Sequence, residues 1–277
     1  MIDIKNASYS YSGFDGLKNI NLHINKGESV VLMGANGSGK STLLKLINGI
    51  ILPDSGVYKF NNEEITAKKL QDTKFSKSFH QKIGFVFQNS DTQLFCADVY
   101  DEIAFGPRQM GMDENDVNKR VTDCLDLLNM QDFIHRQPYH LSGGEKRKVA
   151  IACVLALNPD VLVLDEPMSG LDPRTKRWLA NFLVTLNQSG KTLITSTHDI
   201  ELVLEISQRS VLFDENHTIA ADMPTEQLLV DTELLKKVNL VDEYYHRHEG
   251  NGHQHFHSHF HKISPSESTN EKEKENA

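Results

Sequence analysis

The chain has 277 residues, with 38 acidic and 29 basic side chains and a formal net charge of −9. A chain of this length can bury a sizeable core, and its acidic balance argues against a broad nucleic-acid-binding surface. Its longest apolar run, Val149–Leu157, is far shorter than the about 18 residues of a membrane-spanning helix, and no signal-peptide pattern opens the sequence. The cysteines, Cys96, Cys124 and Cys153, lack C-x-x-C spacing and indicate reduced thiols in a cytoplasmic protein.

A glycine-rich segment, here named the phosphate loop, follows the apolar run Ser29–Met33, which predicts a buried strand. It has the form G-x-x-x-x-G-K-[ST] and consists of Gly34, Ala35, Asn36, Gly37, Ser38, Gly39, Lys40, Ser41 and Thr42. We expect a helix over Thr42–Asn48, so that backbone N–H groups and the helix N-terminus point at phosphate oxygens. Lys40 would attract the outer phosphates, and Ser41 would ligate Mg²⁺. A glycine-rich turn without a ligand is the alternative, which the flanking strand and helix disfavour.

A second glycine-containing segment, Leu141–Glu145, precedes another predicted helix, Glu145–Leu157. Ser142, Gly143 and Gly144 at its start form a second anion-binding helix N-terminus. One chain therefore carries two phosphate-seeking segments that lie far apart in the sequence.

Two carboxylates follow the next predicted strand, Val161–Leu164, whose apolar residues indicate burial on both faces in a parallel sheet. Asp165 and Glu166 then lie at the edge where open α/β sheets bind ligands. Asp165 suits Mg²⁺, and Glu166 suits a general base that polarises a water toward a γ-phosphate. Two surface acids at a strand end are the alternative, which becomes improbable beside a phosphate loop.

In this order, the motifs resemble those of the nucleotide-binding subunit of ATP-binding cassette (ABC) transporters, over roughly residues 1–235. Leu141–Glu145 matches the family's signature, although the commonest fifth residue of that motif is Gln rather than Glu145. The resemblance implies an α/β fold: a P-loop NTPase core with a mainly parallel sheet, a small antiparallel β-subdomain and a helical subdomain. It also implies ATP with Mg²⁺, and two subunits paired head to tail. Each ATP would then lie between the phosphate loop of one subunit and the signature of the other.

The resemblance extends to further single residues. Tyr11 matches the aromatic residue that stacks on adenine, with Tyr9 as the competing candidate, and Gln88 matches the glutamine that senses Mg²⁺ and the membrane partner. Asp172, in Ser169–Asp172, matches the loop that meets the other subunit. His198, after the predicted strand 192–197, matches the switch histidine near the γ-phosphate, although an isolated histidine after a strand is more often structural. The implied Mg²⁺ ligands are Ser41, Gln88 and Asp165.

A finer resemblance lies in Asp91–Phe95 and Asp98–Pro107, which are similar to the energy-coupling-factor branch of the family. That branch imports vitamins and transition metals, cobalt and nickel included. A generic ABC helical subdomain is the alternative. We expect an ATP-binding domain over residues 1–235, with the helical insertion at 89–140 and strand-rich segments at 1–30 and 56–66. Residues 236–277 would form a C-terminal extension.

That extension is rich in histidine. Five histidines recur at every second position, which places their imidazoles on one side of an extended chain; they are His253, His255, His257, His259 and His261. Imidazole suits Ni²⁺, Co²⁺, Cu²⁺ and Zn²⁺. The polar composition past Ser264 predicts a disordered tail. The alternatives are a solvated tail with incidental histidines and an appended purification tag, which the interrupted run disfavours.

Together these observations predict the cytoplasmic ATPase of a metal importer of the energy-coupling-factor branch, for nickel or cobalt. We expect a homodimer bound to integral membrane subunits at the cytoplasmic face of the cell membrane, with no nucleic-acid partner. One alternative is a vitamin importer with an incidental histidine tail. The other is a non-transport ABC protein of DNA repair or translation, which would carry a long coiled coil or a second cassette.

Overall fold

A computed structural model of the protein describes residues 1–198, 200, 202–241, 245–250 and 253–258, the last two ranges by their backbone. The chain divides into two compact units, Met1–Leu240 and Val241–Ala277. The first unit combines two sheets with helices, as the sequence predicted. In the second unit, two strands form a ribbon.

The strands of the first unit include short apolar segments that are buried on both faces, as expected for a parallel sheet covered by helices. Val161–Leu164, for example, is buried at every position. The strands are β1 (Ile2–Tyr11), β2 (Phe14–Ile24), β3 (Ser29–Met33), β4 (Ser55–Phe60), β5 (Glu63–Glu64), β6 (Ile83–Val86), β7 (Val161–Leu164), β8 (Thr192–Ser196), β9 (Arg209–Phe213) and β10 (Ile219–Pro224).

Most of the helices begin at a side chain that accepts a hydrogen bond from the first turn, which satisfies N–H groups that lack a partner within the helix. Asp98, Asp113, Ser142 and Asp172 have this role. The helices are α1 (Lys40–Ile47), α2 (Ala67–Gln71), α3 (Thr73–Lys82), α4 (Val99–Gln109), α5 (Glu114–Leu128), α6 (Gly143–Leu155), α7 (Pro173–Gln188), α8 (Val203–Ile206), α9 (Thr225–Val230) and α10 (Thr232–Lys237). Short 3₁₀ turns lie at Ser90–Thr92, Gln131–Phe133 and Pro138–His140.

The larger sheet has six strands in the order β10-β9-β3-β8-β7-β6. Neighbouring strands from β9 to β6 pair in parallel, whereas β10 pairs antiparallel to β9. The carboxyl ends of β3, β6, β7 and β8 therefore meet at one edge. The smaller sheet is antiparallel, in the order β2-β1-β4-β5, and confirms the predicted strand-rich segments.

The core of the first unit joins both sheets to α1 and α3. Its buried side chains include Leu43 and Leu46 of α1, Val30 of β3 and Phe79 of α3. Tyr58 of the antiparallel sheet donates a hydrogen bond of 2.7 Å to the carbonyl of Ile47, so the small sheet is fastened to the end of α1. Burial raises the pKa of this phenol far above its usual range. The core thus fixes the helix that follows the phosphate loop.

Three predicted elements differ from the structure. The helix predicted at Thr42–Asn48 begins two residues earlier, because Gly39 already serves as its N-cap. The helix predicted at Glu145–Leu157 is Gly143–Leu155, because Ser142 caps it. The strand predicted at residues 192–197 ends at Ser196. In the part of the chain that the structure describes, no helix is long and apolar enough to cross a membrane.

In the second unit, β11 (Tyr245–Gly250) pairs antiparallel with β12 (His253–Ser258). The disorder predicted past Ser264 concerns residues beyond these two strands and stays a prediction. Histidine recurs at every second position in both strands, as expected of a pleated strand whose side chains alternate between two faces. The predicted ligands His253, His255 and His257 lie in β12, whereas His259, His261 and the polar stretch past Ser264 lie outside the described residues.

Candidate active site

Four loops meet at the carboxyl edge of the parallel sheet. The phosphate loop follows β3, and Gln88 follows β6 by two residues. The carboxylates Asp165 and Glu166 follow β7, while His198 follows β8. Parallel strands present their carboxyl ends at the same edge, so the topology brings together side chains that are far apart in the sequence.

The phosphate loop wraps around the ammonium group of Lys40. The Lys40 Nζ atom donates hydrogen bonds of 2.7 Å to the carbonyl of Gly34 and 2.9 Å to that of Ala35. Gly34 and Gly39 have φ angles of +146° and +109°, in the region that favours glycine. A Cβ at Gly34 would lie 2.7 Å from Ser38 Oγ, and one at Gly39 would lie 2.7 Å from the carbonyl of Gly16. Both glycines are therefore required by close approach as well as by backbone angle.

Asp165 is buried and accepts hydrogen bonds from two hydroxyl groups. Ser41 Oγ donates to Asp165 Oδ1 over 2.9 Å, and Ser196 Oγ donates to the same oxygen over 2.6 Å. Asp165 thus joins the phosphate loop to β8 and places a carboxylate beside the Ser41 hydroxyl, a pair of oxygen donors suited to Mg²⁺.

Glu166 is held in an unusual backbone conformation, with a φ of +41°. Its N–H donates a 2.8 Å hydrogen bond to Ser196 Oγ. Its carboxylate accepts a 3.2 Å hydrogen bond from Gln88 Nε2, and the other oxygen lies 3.2 Å from His198 Nδ1. A left-handed conformation in a residue other than glycine persists only where surrounding contacts impose it. Here those contacts aim the carboxylate between Gln88 and His198.

The charge of Lys40 is only partly balanced. Burial lowers the pKa of Lys40, while the carboxylates of Glu166 and Asp165 act in the opposite direction. A buried ammonium is costly unless it is paired. Its present partners are two backbone carbonyls, and a bound phosphate would supply the missing negative charge.

These groups surround a cavity of about 440 Å³. Its lining is polar and consists of Asn36, Gly37, Gly39, Lys40, Ser41, Thr42, Gln88, Glu166, Ser169 and His198. Asp165 does not line the cavity itself but is hydrogen-bonded to Ser41, which does. Tyr11 lies beside the cavity, because a Cβ at Gly16 would contact both the Tyr11 ring and the Thr42 methyl group at 3.2 Å. Tyr9 packs edge-on against Tyr11, with the ring centroids 4.8 Å apart.

The signature segment forms a second cluster at the start of α6, outside the lining of this cavity. Ser142 and Glu145 make a capping box: the Ser142 N–H and hydroxyl each donate to Glu145 Oε2 over 2.7 Å, and the Glu145 N–H donates back to Ser142 Oγ over 3.4 Å. These bonds lower the pKa of Glu145. The carboxylate that replaces the family's commoner glutamine therefore completes the cap in its ionised form.

Asp172 lies beside that cluster. It caps α7 by accepting hydrogen bonds of 3.0 Å from the N–H groups of Arg174 and Thr175 and one of 2.6 Å from the Thr175 hydroxyl. A Cβ at Gly144 would lie 3.1 Å from the Thr175 methyl group, so the starts of α6 and α7 are in contact. The residues predicted for the nucleotide site thus fall into two groups, one around the cavity and one around these two helix starts.

Sequence reasoning missed Ser196 and Arg147, and it placed Ser169 only in the loop predicted to meet the other subunit. Ser169 lines the cavity, and Ser196 links Asp165 to the backbone of Glu166. Arg147 is buried in α6 and donates to the carbonyls of Phe87 and Gln88. A serine at the end of an apolar strand and an arginine within a largely apolar helix were the available signals, but their partners lie on distant segments.

Two observations test whether the residues present fit a nucleotide phosphate with Mg²⁺. The Ser38 hydroxyl lies within the phosphate loop, is buried and has no hydrogen-bond partner, so it can donate to a bound phosphate. The glycines leave space that a Cβ would fill, as expected where backbone N–H groups cradle an anion. Together with the Ser41–Asp165 oxygen pair, these features fit both groups.

Comparison with known proteins decides the family. The family profile described as "ABC transporter" matches residues 17–169, more than half of the chain. The chain belongs to the ABC transporter family. It carries the ATP-binding domain of that family and is an ATPase subunit.

Relatives place the chain more narrowly within the ABC family. It is 44% identical over 228 residues to the "Nickel import ATP-binding protein LarO" of Lactiplantibacillus plantarum, covering 82% of this chain and 95% of that one. It is 39% identical over 241 residues to the "Energy-coupling factor transporter ATP-binding protein EcfA" of Methanothermobacter thermautotrophicus, covering 87% and 76%. The fold resembles CbiO1 of Clostridium perfringens, part of the ABC transporter complex CbiONQ, with a TM-score of 0.74, 35% identity and coverage of 86% and 94%.

Among the side chains that the structure describes, no group of three or more His, Cys, Asp or Glu residues forms a metal cluster. The transition-metal prediction concerns the C-terminal histidines, whose side chains are not among those that the structure describes.

Proposed function

We propose that this ABC ATPase drives a membrane importer of the energy-coupling-factor branch whose substrate is a transition metal, nickel or cobalt. The observation that carries the ATPase assignment is the convergence of Lys40, the Ser41–Asp165 pair and the Gln88–Glu166–His198 group on one polar cavity. The name of LarO, together with the histidine-rich extension, supports the metal.

Within the cavity, each residue has a role that follows from its chemistry. Lys40 would exchange its carbonyl partners for phosphate oxygens, and Ser41 and Asp165 would hold Mg²⁺, with Gln88 as a further oxygen ligand. The ion, when bound, would offset negative charge on the phosphates. Glu166 would accept a proton from the attacking water, and His198 would orient the γ-phosphate. Tyr11 would stack against adenine.

The second cluster supports a head-to-tail homodimer. Ser142, Gly143 and Gly144 lie outside the lining of the cavity, and Gly143 has open space around it. A second copy of the chain would bring its own signature to the cavity and receive the first copy's signature in return. Asp172, in contact with the start of α6 through Thr175, would lie at the same interface.

An apolar hollow near Gln88 supports docking of an integral membrane subunit. It measures about 270 Å³ and is lined in part by Ile50, Phe87, Phe95 and Phe105. Phe95 remains 67% exposed, although it packs edge-on against Phe105 with centroids 5.0 Å apart. Exposed aromatic clusters of this kind mark interaction sites. Such docking would place the ATPase peripherally at the cytoplasmic face of the membrane.

For the substrate, we propose that the C-terminal histidines 253, 255, 257, 259 and 261 collect or sense the transported metal. The decisive experiment is ATP-driven uptake by vesicles that hold the whole transporter complex, with radiolabelled nickel, cobalt and a panel of vitamins. Accumulation of nickel or cobalt by the parent, lost in Glu166→Gln, supports the proposal. Accumulation of a vitamin without metal uptake would instead identify a vitamin importer.

A further inference from the structure

The ribbon of the second unit has a register that the sequence pattern did not reveal. His246 of β11 lies directly opposite His257 of β12, and His248 lies directly opposite His255. The remaining histidine of β12, His253, lies opposite Gly250. Two histidine pairs therefore face each other across the strands, next to one another along the ribbon.

These positions share one face of the ribbon. Residues directly opposite each other in an antiparallel pair lie on the same face, and so do residues two apart along a strand. The other face holds no histidine in the two described strands. It consists of Tyr245, Arg247, Glu249, Gln254, Phe256 and Ser258. The backbone thus separates histidine positions from the rest.

The spacing of such a face suits one metal ion. Opposed residues in antiparallel strands have Cβ atoms about 4.5–5.5 Å apart, and alternate residues along a strand lie about 6.8 Å apart. An imidazole nitrogen reaches several ångströms beyond its Cβ and binds Zn²⁺ at about 2.0–2.1 Å. Four histidine positions at the corners of so small a rectangle lie close enough together to share one ion.

We propose that His246, His248, His255 and His257 form a transition-metal site on this face of the ribbon. The site takes borderline divalent ions that prefer imidazole, namely Ni²⁺, Co²⁺, Cu²⁺ or Zn²⁺. This inference deepens the proposed metal-binding role of the C-terminal extension and rests on it. It differs in assigning two ligands from β11 and in requiring the strand register, so that a ribbon rather than an unpaired tail binds the ion.

A permutation of β11 tests the register at constant composition. In the full chain, the four changes His246→Arg, Arg247→His, His248→Glu and Glu249→His move both β11 histidines to the other face without altering charge or histidine number. We expect the Kd for Ni²⁺, measured by calorimetric titration at pH 7.5, to rise by about ten-fold or more, which corresponds to about 1.4 kcal/mol. Unchanged ATPase activity would show that the first unit is folded.

The matched control exchanges a histidine that has no opposed histidine. His253→Gln with Gln254→His makes the same kind of shift in β12, and we expect the Kd to stay within about two-fold of the parent. Equal affinity of the parent and the β11 permutation would overturn the ribbon site. If deletion of residues 245–261 still abolished binding in that case, the proposed role of the extension would survive without the register. Equal binding by the deletion variant and the parent would overturn both.

Discussion

The N-termini of α1 and α6 both carry phosphate-seeking motifs, yet the structure satisfies them differently. At α1, Gly39 is the N-cap and no side chain accepts from the first turn, while the buried Ser38 hydroxyl lacks a partner. At α6, Ser142 and Glu145 complete a capping box from within the chain. The first helix start is prepared for an external anion, whereas the second is already hydrogen-bonded in the single subunit.

This difference suggests an order of events for the proposed dimer. The phosphate loop can bind ATP in a single subunit, because its polar groups await a ligand. The signature must redirect the Ser142 hydroxyl from Glu145 toward the partner's nucleotide, so it acts only when two subunits meet. Substitutions at the catalytic cavity should therefore have the largest effect on hydrolysis, those at the signature a smaller one, and changes outside both the smallest.

The largest effect is expected from Glu166→Gln, which retains the shape of the side chain and removes its basicity. Hydrolysis should fall on the order of 10²-fold or more, because the attacking water loses its proton acceptor. ATP binding should persist, and an ATP-dependent dimer should accumulate, as measured by steady-state ATPase assays and size-exclusion chromatography. Near-normal turnover would remove Glu166 from its assigned role.

Ser142→Arg tests the signature. The bulky side chain should block the partner's γ-phosphate while leaving the phosphate loop intact. We therefore expect ATP binding by the monomer to survive and ATP-driven dimerisation to fail, as measured by nucleotide titration and analytical ultracentrifugation. Ser142→Thr, which keeps a capping hydroxyl, is the control and should dimerise. An arginine variant that dimerises like the parent would refute the head-to-tail arrangement.

Glu145→Gln makes the same chemical change as Glu166→Gln, but at the signature. Glutamine can still close a capping box, so activity should change by less than about three-fold.

The pKa of Glu145 is lowered by hydrogen bonds, chiefly from the Ser142 N–H, so its carboxylate stabilises the fold at neutral pH. That contribution is lost as pH falls below the usual glutamate value of about 4.3 and through the lowered folded-state value.

Thermal unfolding between pH 7 and pH 3 checks this difference. The parent should lose more stability on acidification than Glu145→Gln, since the amide does not titrate. Parallel pH profiles for the two chains would show that the capping carboxylate makes no charge-dependent contribution.

The smallest effect on catalysis is expected from truncation after Leu240, at the boundary between the two compact units. ATPase activity should stay within about two-fold, or under roughly 0.5 kcal/mol of barrier, because the described residues that line the cavity all precede that point. Binding of Ni²⁺ or Co²⁺ should be largely lost. In the full chain it should weaken as pH falls through about 6.5, because protonated imidazole has no free lone pair.

Calorimetric titration of both chains at pH 7.5 and pH 5.5 measures this effect. Equal metal binding by the truncated and full chains would show that the extension is not the binding site.

The sequence predicted those parts of the site that are set by local pattern. Each of these parts is a contiguous segment whose own residues determine its local structure: the phosphate loop with its helix, the strand before Asp165 and the helix after the signature. The structure confirms the bounds of these elements to within two residues. The role of Ser196 depends instead on the pairing of β7 with β8, which places its hydroxyl between Asp165 and Glu166. Contacts of that kind require the strand order, which the chain encodes only through its overall packing.

The ribbon illustrates the same limit. Histidines at every second position predicted that they share one face of an extended chain. That pattern could not predict which strand pairs with it. His246 and His248 precede the main histidine run by several residues, and only the antiparallel register sets them opposite His257 and His255.

The position of Arg147 bears on how two ATP molecules would be consumed. Its guanidinium donates to the carbonyls of Phe87 and Gln88, so the segment proposed to sense one nucleotide is attached to the helix whose N-terminus would contact the other. Lys146, next to it, pairs with Asp91 over 2.6 Å and strengthens this attachment. In a symmetric dimer, a change of nucleotide occupancy at one site would therefore displace part of the other site. Hydrolysis should then show positive cooperativity in ATP concentration.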